Sequence, residues 1–176
     1  DILAHHPDMT HYYLVNKNEK INKMKIKAVV YEKVNQFYQR YLPHVDPWVR
    51  YRDIERYTME LTAVLFDLDQ YDLIHTQDII STRALWRVKP EGIPLVATIH
   101  GLLANEHVIA DQIPSKDSAH WIYVSDEEYY GAVSSDITIV PTRWLYEELT
   151  KNFEVPHDHL TIIPYGMDVD PFLTKY

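Results

Sequence analysis

The sequence contains no cysteine, which excludes a disulfide framework, a thiolate metal site and a cysteine nucleophile. It has only 4 glycines, and their spacing allows neither a G-x-G-x-x-G turn nor a P-loop. A self-contained site for a dinucleotide or a nucleoside triphosphate is therefore not expected. No serine lies in the G-x-S-x-G motif of a serine hydrolase, so serine hydrolase activity is also not expected.

Positive charge is scarce as well, because 17 Lys and Arg stand against 26 Asp and Glu, for a formal net charge of -9. A nucleic-acid partner is not expected, since binding to a phosphate backbone needs a basic face. No apolar run approaches the length of a membrane span, and residues 1–8 lack the regions of a signal peptide. These absences predict a cytoplasmic protein and leave a peripheral contact with a membrane open.

The stretch from Pro94 to Gly101 is the clearest structural signal in the chain. Apolar and β-branched residues run from Leu95 to Ile99 and end at His100. This pattern predicts a buried parallel strand inside a sheet. Ligands of open α/β sheets bind outside the carboxyl ends of the strands, so His100 is expected to face the site.

The other predicted elements alternate between strand and helix. Strands are predicted over residues 10–16, 25–32, 71–78, 136–140 and 160–163. Helices are predicted after a cap at Asp46, after a cap within Ser115 to Ser118, after a cap at Thr142, and over the segment that stops at Pro90. Residues 102–114 show little periodicity. With 176 residues, 46% of them hydrophobic, the chain suffices for one core. We therefore predict a single α/β domain over 1–176, Rossmann-like and doubly wound, with a mostly parallel sheet and helices on both faces.

Four segments, in the same order, resemble the N-terminal domain of the family 4 retaining glycosyltransferases, which have the two-domain GT-B architecture. Tyr71 to His75 is similar to the family's D-hydrophobic-hydrophobic-H strand, and Pro94 to Gly101 is similar to its T-x-H-G strand. Ser135 to Thr142 is similar to a strand that ends in Ser or Thr. Leu160 to Phe172 is similar to the closing I-P-N-G-x-D-x-x-x-F segment. The chain departs from the last pattern at Tyr165, where the family usually has asparagine.

The resemblance implies transfer of a sugar from a nucleotide diphosphate sugar to a small-molecule, glycan or lipid acceptor, with retention, in carbohydrate biosynthesis. It implies no metal and no cofactor besides the donor substrate. By this resemblance, the chain is expected to correspond to the acceptor-side half, without the family's first strand and without the C-terminal donor-binding domain. The chain by itself is then expected to be inactive, and a homo-oligomer stays open. The alternative is a non-catalytic α/β binding or assembly module that shares the glycosyltransferase shape.

The resemblance places His100 beside the donor sugar, where an imidazole can orient the sugar by a hydrogen bond, and this is the predicted catalytic residue. Its alternative is a histidine that caps its own strand. The other candidates, for donor or acceptor binding, are Gly101, Asp78, Glu106, Thr142, Arg143, Gly166 and Asp168. Asp78 and Glu106 are expected on the acceptor side. Thr142 is alternatively a helix cap, and Asp168 is alternatively an ordinary turn carboxylate.

Overall fold

A computed structural model of the chain describes residues 3–5, 10–14, 17, 19–166 and 169. A small antiparallel sheet, in the order β1-β2-β3, contains β1 (Leu3–His5), β2 (His11–Leu14) and β3 (Glu19–Asn22). A parallel sheet, in the order β4-β5-β6-β7, contains β4 (Ile74–Thr76), β5 (Leu95–Thr98), β6 (Ile137–Val140) and β7 (Leu160–Ile162). The helices are α1 (Lys23–Tyr41), α2 (Pro47–Val64), α3 (Ile79–Val88), α4 (Leu103–Ile109), α5 (Ala119–Val133) and α6 (Arg143–Asn152).

Strand β5 lies inside the parallel sheet, as its apolar sequence predicts. It pairs with β4 on one side, where Leu95 faces Ile74, and with β6 on the other, where Val96 faces Ile137. Leu95 and Ala97 have no exposed surface. A strand without polar alternation is stable in this central place because neither its edges nor its core-facing side chains meet water.

Helices α3, α5 and α6 pack against the parallel sheet, whereas α1 packs on α2 and on the small sheet. The strand side chains on the face that α3, α5 and α6 cover are buried, among them Leu95, Val140 and Leu160, whereas Ile137 on the opposite face is 50% exposed. This arrangement follows from the strand order, because right-handed crossovers between consecutive strands put their helices on the same side. The Rossmann-like α/β class is confirmed.

The three predicted helix caps are confirmed. The Asp46 carboxylate accepts the N–H of Trp48 at 2.7 Å, with Pro47 as the first helical residue of α2. The Ser118 hydroxyl accepts a backbone N–H at the start of α5, and the Thr142 hydroxyl does so at the start of α6. Each side chain supplies an acceptor to a donor that the helix itself cannot satisfy.

One sequence prediction near the start of the chain is wrong, and one helix after β5 was not predicted. Residues 25–32, predicted as a strand, lie in α1, which begins after the Asn22 cap. Ile26 and Val30 are four residues apart and pack together on Ile54 of α2, so helical packing overrides the β preference of this segment. Residues 102–114, which show little periodicity, contain α4, whose N-cap residue Leu102 makes no side-chain capping bond.

Candidate functional site

Three strand ends of the parallel sheet meet at the side chain of His100. Gln77 follows β4, His100 follows β5 and Tyr165 follows β7, all at the carboxyl edge of the sheet. His100 Nε2 lies 2.9 Å from Gln77 Oε1, and His100 Nδ1 is hydrogen-bonded to the Tyr165 hydroxyl. The rings of His100 and Tyr165 stack with centroids 5.7 Å apart and planes inclined by 19°. We call these three residues the His100 cluster.

The hydrogen bonds of the cluster determine where the imidazole proton lies. Gln77 Oε1 can only accept, so His100 Nε2 carries the hydrogen and donates it. In the neutral imidazole, His100 Nδ1 is then the acceptor for the hydroxyl hydrogen of Tyr165. All three side chains are exposed, with 64% of the Tyr165 surface open to solvent. A ligand hydroxyl can therefore replace the phenol at Nδ1 without crossing the core.

Two of the predicted binding residues are helix caps at the same edge of the sheet. Asp78 Oδ1 accepts the N–H of Ser81 at 2.8 Å and caps α3, while Thr142 Oγ1 accepts the N–H of Leu145 at 3.1 Å and caps α6. Both caps are exposed, as is Arg143, the first residue of α6. Their side chains thus order the helix starts that border the His100 cluster.

The remaining predicted residues have no hydrogen bond to the cluster in the described part of the chain. Gly101 and Gly166 directly follow His100 and Tyr165, and a Cβ at either glycine would meet no atom within 4 Å. Their surroundings inside the protein therefore do not require glycine. Glu106 is exposed in the first turn of α4. Asp168 lies outside the described residues.

A cavity of about 740 Å³ lies beside β4 and borders the cluster at Gln77, and the adjacent Asp78 also lines it. His100 and Tyr165 do not line it. Its walls come from β2, α2, α3 and the segment before β4, and its apolar lining includes Leu14, Met59, Phe66, Leu73, Ile80 and Leu85. A concave apolar space of this size, with a few polar groups at one end, is typical of a small-ligand site.

Sequence reasoning predicted His100 but missed Gln77, although Gln77 directly follows a strand just as polar residues do at the other strand ends. It also missed Glu128 of α5, whose carboxyl is fully buried and bonds the backbone of α4.

Within the described ranges, no group of three or more His, Asp or Glu side chains is placed to hold a metal ion. None of the helices described here combines the length and the apolar character needed to cross a membrane.

Comparison with known proteins adds one finding to this geometry. The model of the family described as Glycosyltransferase Family 4 matches residues 4–171, a span that includes all three members of the His100 cluster. A comparison with curated proteins returned no match. Since the family model covers most of the sequence, the chain belongs to glycosyltransferase family 4.

Proposed function

We propose that this chain is the acceptor-side domain of an enzyme that transfers a sugar from a nucleotide diphosphate sugar to an acceptor hydroxyl, with retention at the anomeric carbon. Family membership supports glycosyl transfer in general. In the proposed reaction the acceptor oxygen bonds to the anomeric carbon. The bond from that carbon to the diphosphate breaks, its electron pair leaves with the nucleoside diphosphate, and the acceptor proton passes to the leaving phosphate oxygen.

The single observation that carries the proposal is the His100 cluster at the carboxyl edge of the sheet, where open α/β sheets bind ligands. His100 Nδ1 is an acceptor, so a sugar hydroxyl can donate to it in place of Tyr165. Gln77 keeps the Nε2 hydrogen and thereby the tautomer that this role requires. The imidazole acts by orientation, and the chemical step needs no proton transfer to His100.

We further propose that the acceptor enters the cavity beside β4, which reaches the cluster at Gln77. The donor would be held by a second, donor-binding domain across the cleft, with no metal or other cofactor. A leaving diphosphate must be stabilised by hydrogen-bond donors on both sides of the cleft. The single domain over 1–176 is therefore expected to show no appreciable transfer by itself.

A second candidate function is a non-catalytic α/β binding or assembly module. The observation in its favour is that both ring nitrogens of His100 already have partners within the chain. In this alternative, the histidine serves only to join three strand ends. In that case the cluster would exclude ligands, and removing Tyr165 would not expose a binding site.

The test uses the complete polypeptide that joins this chain to its donor-binding domain. It is incubated with UDP-glucose, UDP-N-acetylglucosamine or GDP-mannose and a panel of hydroxyl acceptors, and released nucleoside diphosphate is measured. Proton NMR of the product then gives the anomeric configuration. We expect release with at least one donor and the configuration of the donor in the product. A product with the inverted configuration contradicts the proposed stereochemistry. Robust transfer by the 176-residue chain alone contradicts the two-domain arrangement. If no nucleoside diphosphate is released with any donor, the binding module is favoured.

A further inference from the structure

Glu128 is a buried carboxyl group beside the main hydrophobic core. It lies in α5, has no exposed surface, and adjoins the core that contains Ile99 and Leu102. Its Oε1 accepts the backbone N–H of Ala104 at 2.8 Å, whereas its Oε2 has no hydrogen-bond partner among the described residues. The bond joins α5 to the first turn of α4 across 24 positions of sequence.

The first turn of α4 needs an acceptor from elsewhere. The first N–H groups of any helix have no partner within the helix, and Leu102, at the N-cap position, has no side chain that can accept. Glu128 supplies this acceptor. Only Gly101 and Leu102 separate α4 from His100, so the bond to Ala104 holds the chain four residues after the imidazole. The buried Leu102 side chain, 3% exposed, fixes the same segment from the core side.

Stability does not account for a carboxyl at this place. Burial raises the pKa of Glu128 to about 8, with the charges of Glu127 and Glu106 adding to the rise and the α4 backbone N–H groups opposing it. An apolar side chain of similar volume would avoid both this cost and the unpartnered Oε2. What such a side chain could not provide is the acceptor for Ala104.

We propose that Glu128 is a positioning residue, which fixes the loop from His100 to Leu102 by accepting the Ala104 N–H. This inference deepens the proposed function and rests on it for its catalytic consequence. Its structural content, that the carboxyl controls the place of His100, can be measured without any substrate.

The test compares Glu128→Leu, which keeps the approximate volume and removes the acceptor, with Glu128→Gln, which keeps a carbonyl acceptor. Amide hydrogen exchange of Ala104 and the imidazole NMR signals of His100 are measured in the 176-residue chain. The control amide is Leu145, held in the same way by the side chain of Thr142 at the start of α6. In Glu128→Leu we expect exchange at Ala104 to quicken about tenfold while Leu145 is unchanged. We also expect the His100 signals to shift, and Glu128→Gln to restore both readouts.

The outcomes separate this inference from the proposed function. Unchanged Ala104 exchange and unchanged His100 signals in Glu128→Leu overturn the positioning role. If both readouts respond but His100→Ala leaves turnover of the complete enzyme intact, the positioning role stands and the catalytic assignment of His100 fails. Glu128→Met serves as a second acceptor-free variant. If Leu and Met variants both fail to fold while the Gln variant folds, Glu128 acts on global stability and the inference is wrong.

Discussion

Gly131 lies where α5 passes the start of α3, and we predict that Gly131→Ala destabilises the domain. A Cβ on Gly131 would lie 2.4 Å from Ile79 Cβ, 2.8 Å from Ile79 O and 2.9 Å from Ile79 Cα. Ile79 is the first residue of α3, directly after Gln77 and the Asp78 cap. The absent side chain therefore allows the close helix contact that supports one corner of the His100 cluster.

Two opposing effects set the size of the change. Alanine in place of glycine within a helix stabilises by about 1 kcal/mol. Against this, carbon atoms pack at about 3.5 to 4.0 Å, so α5 must move by roughly 1 Å or more from α3. Because two of the three contacts are to backbone atoms, no side-chain rotation relieves them, and overpacking of this kind costs about 1 to 3 kcal/mol or more. Because all three contacts are shorter than 3.0 Å, we place the overpacking cost at about 2 to 3 kcal/mol and expect a net loss of roughly 1 to 2 kcal/mol.

Thermal unfolding followed by circular dichroism measures this loss. For a domain of this size, it corresponds to a fall in Tm of about 2 to 8 °C. The matched control is Gly101→Ala, because a Cβ at Gly101 meets no atom within 4 Å, and its Tm should change little. A Tm for Gly131→Ala equal to or above that of the unsubstituted chain would refute the close contact between α3 and α5.

Three further predictions concern single side chains. Since burial raises the pKa of Glu128 from 4.5 to about 8, its contribution to stability is complete below pH 4.5 and is lost as the pH rises through 8. Urea unfolding should therefore show a fall in stability over this range that Glu128→Gln abolishes, and an equal fall in both proteins contradicts the burial of the group. Thr142→Ala should cost about 1 kcal/mol in the same assay through loss of the α6 cap, whereas Thr142→Ser should retain most of it. Tyr165→Phe should shift the NMR signal of His100 Nδ1 without altering that of Nε2, and equal shifts at both nitrogens would contradict the tautomer.

Local sequence signals predicted the elements that depend on local physics. The strand that ends at His100 follows from an uninterrupted apolar run, and α2 and α6 follow from their caps at Asp46 and Thr142. Residues 25–32 were mispredicted because β-branched side chains favour a strand in isolation, whereas the packing of Ile26 on α2 favours a helix. The start of α4 had no local signal, since its acceptor comes from Glu128 in another helix.

The difference between local signals and contacts of distant segments also decides what could be predicted of the candidate site. His100 could be predicted because the carboxyl end of a buried strand is where α/β domains place ligands. Its partners could not, because the order of strands in the sheet decides which strand ends adjoin, and Gln77 and Tyr165 lie 23 and 65 positions away. Asp78, predicted on the acceptor side, is the cap of α3, a role that its position before an apolar helix also allowed.

A second histidine–tyrosine pair in the chain provides a control for substitutions in the His100 cluster. Exposed His157 and half-buried Tyr146 form a second pair, with Nδ1 and the hydroxyl 3.0 Å apart and ring centroids separated by 5.7 Å. His157 lies shortly before β7, at the amino edge of the sheet and away from the proposed cleft, and Tyr146 lies in α6. His157→Ala therefore removes a similar contact at a place where no substrate is expected.

The most direct test of the central claim, that His100 orients the sugar during transfer, is a paired measurement of turnover and Tm for His100→Ala and His157→Ala in the complete enzyme. Loss of a hydrogen bond made chiefly in the transition state should lower turnover by His100→Ala by about thirty- to a thousandfold, or roughly 2 to 4 kcal/mol. The two variants should lose similar, small amounts of Tm, and His157→Ala should retain its turnover. If His100→Ala lowers the Tm while turnover per folded molecule survives, His100 only joins strand ends, and the account of the site is wrong.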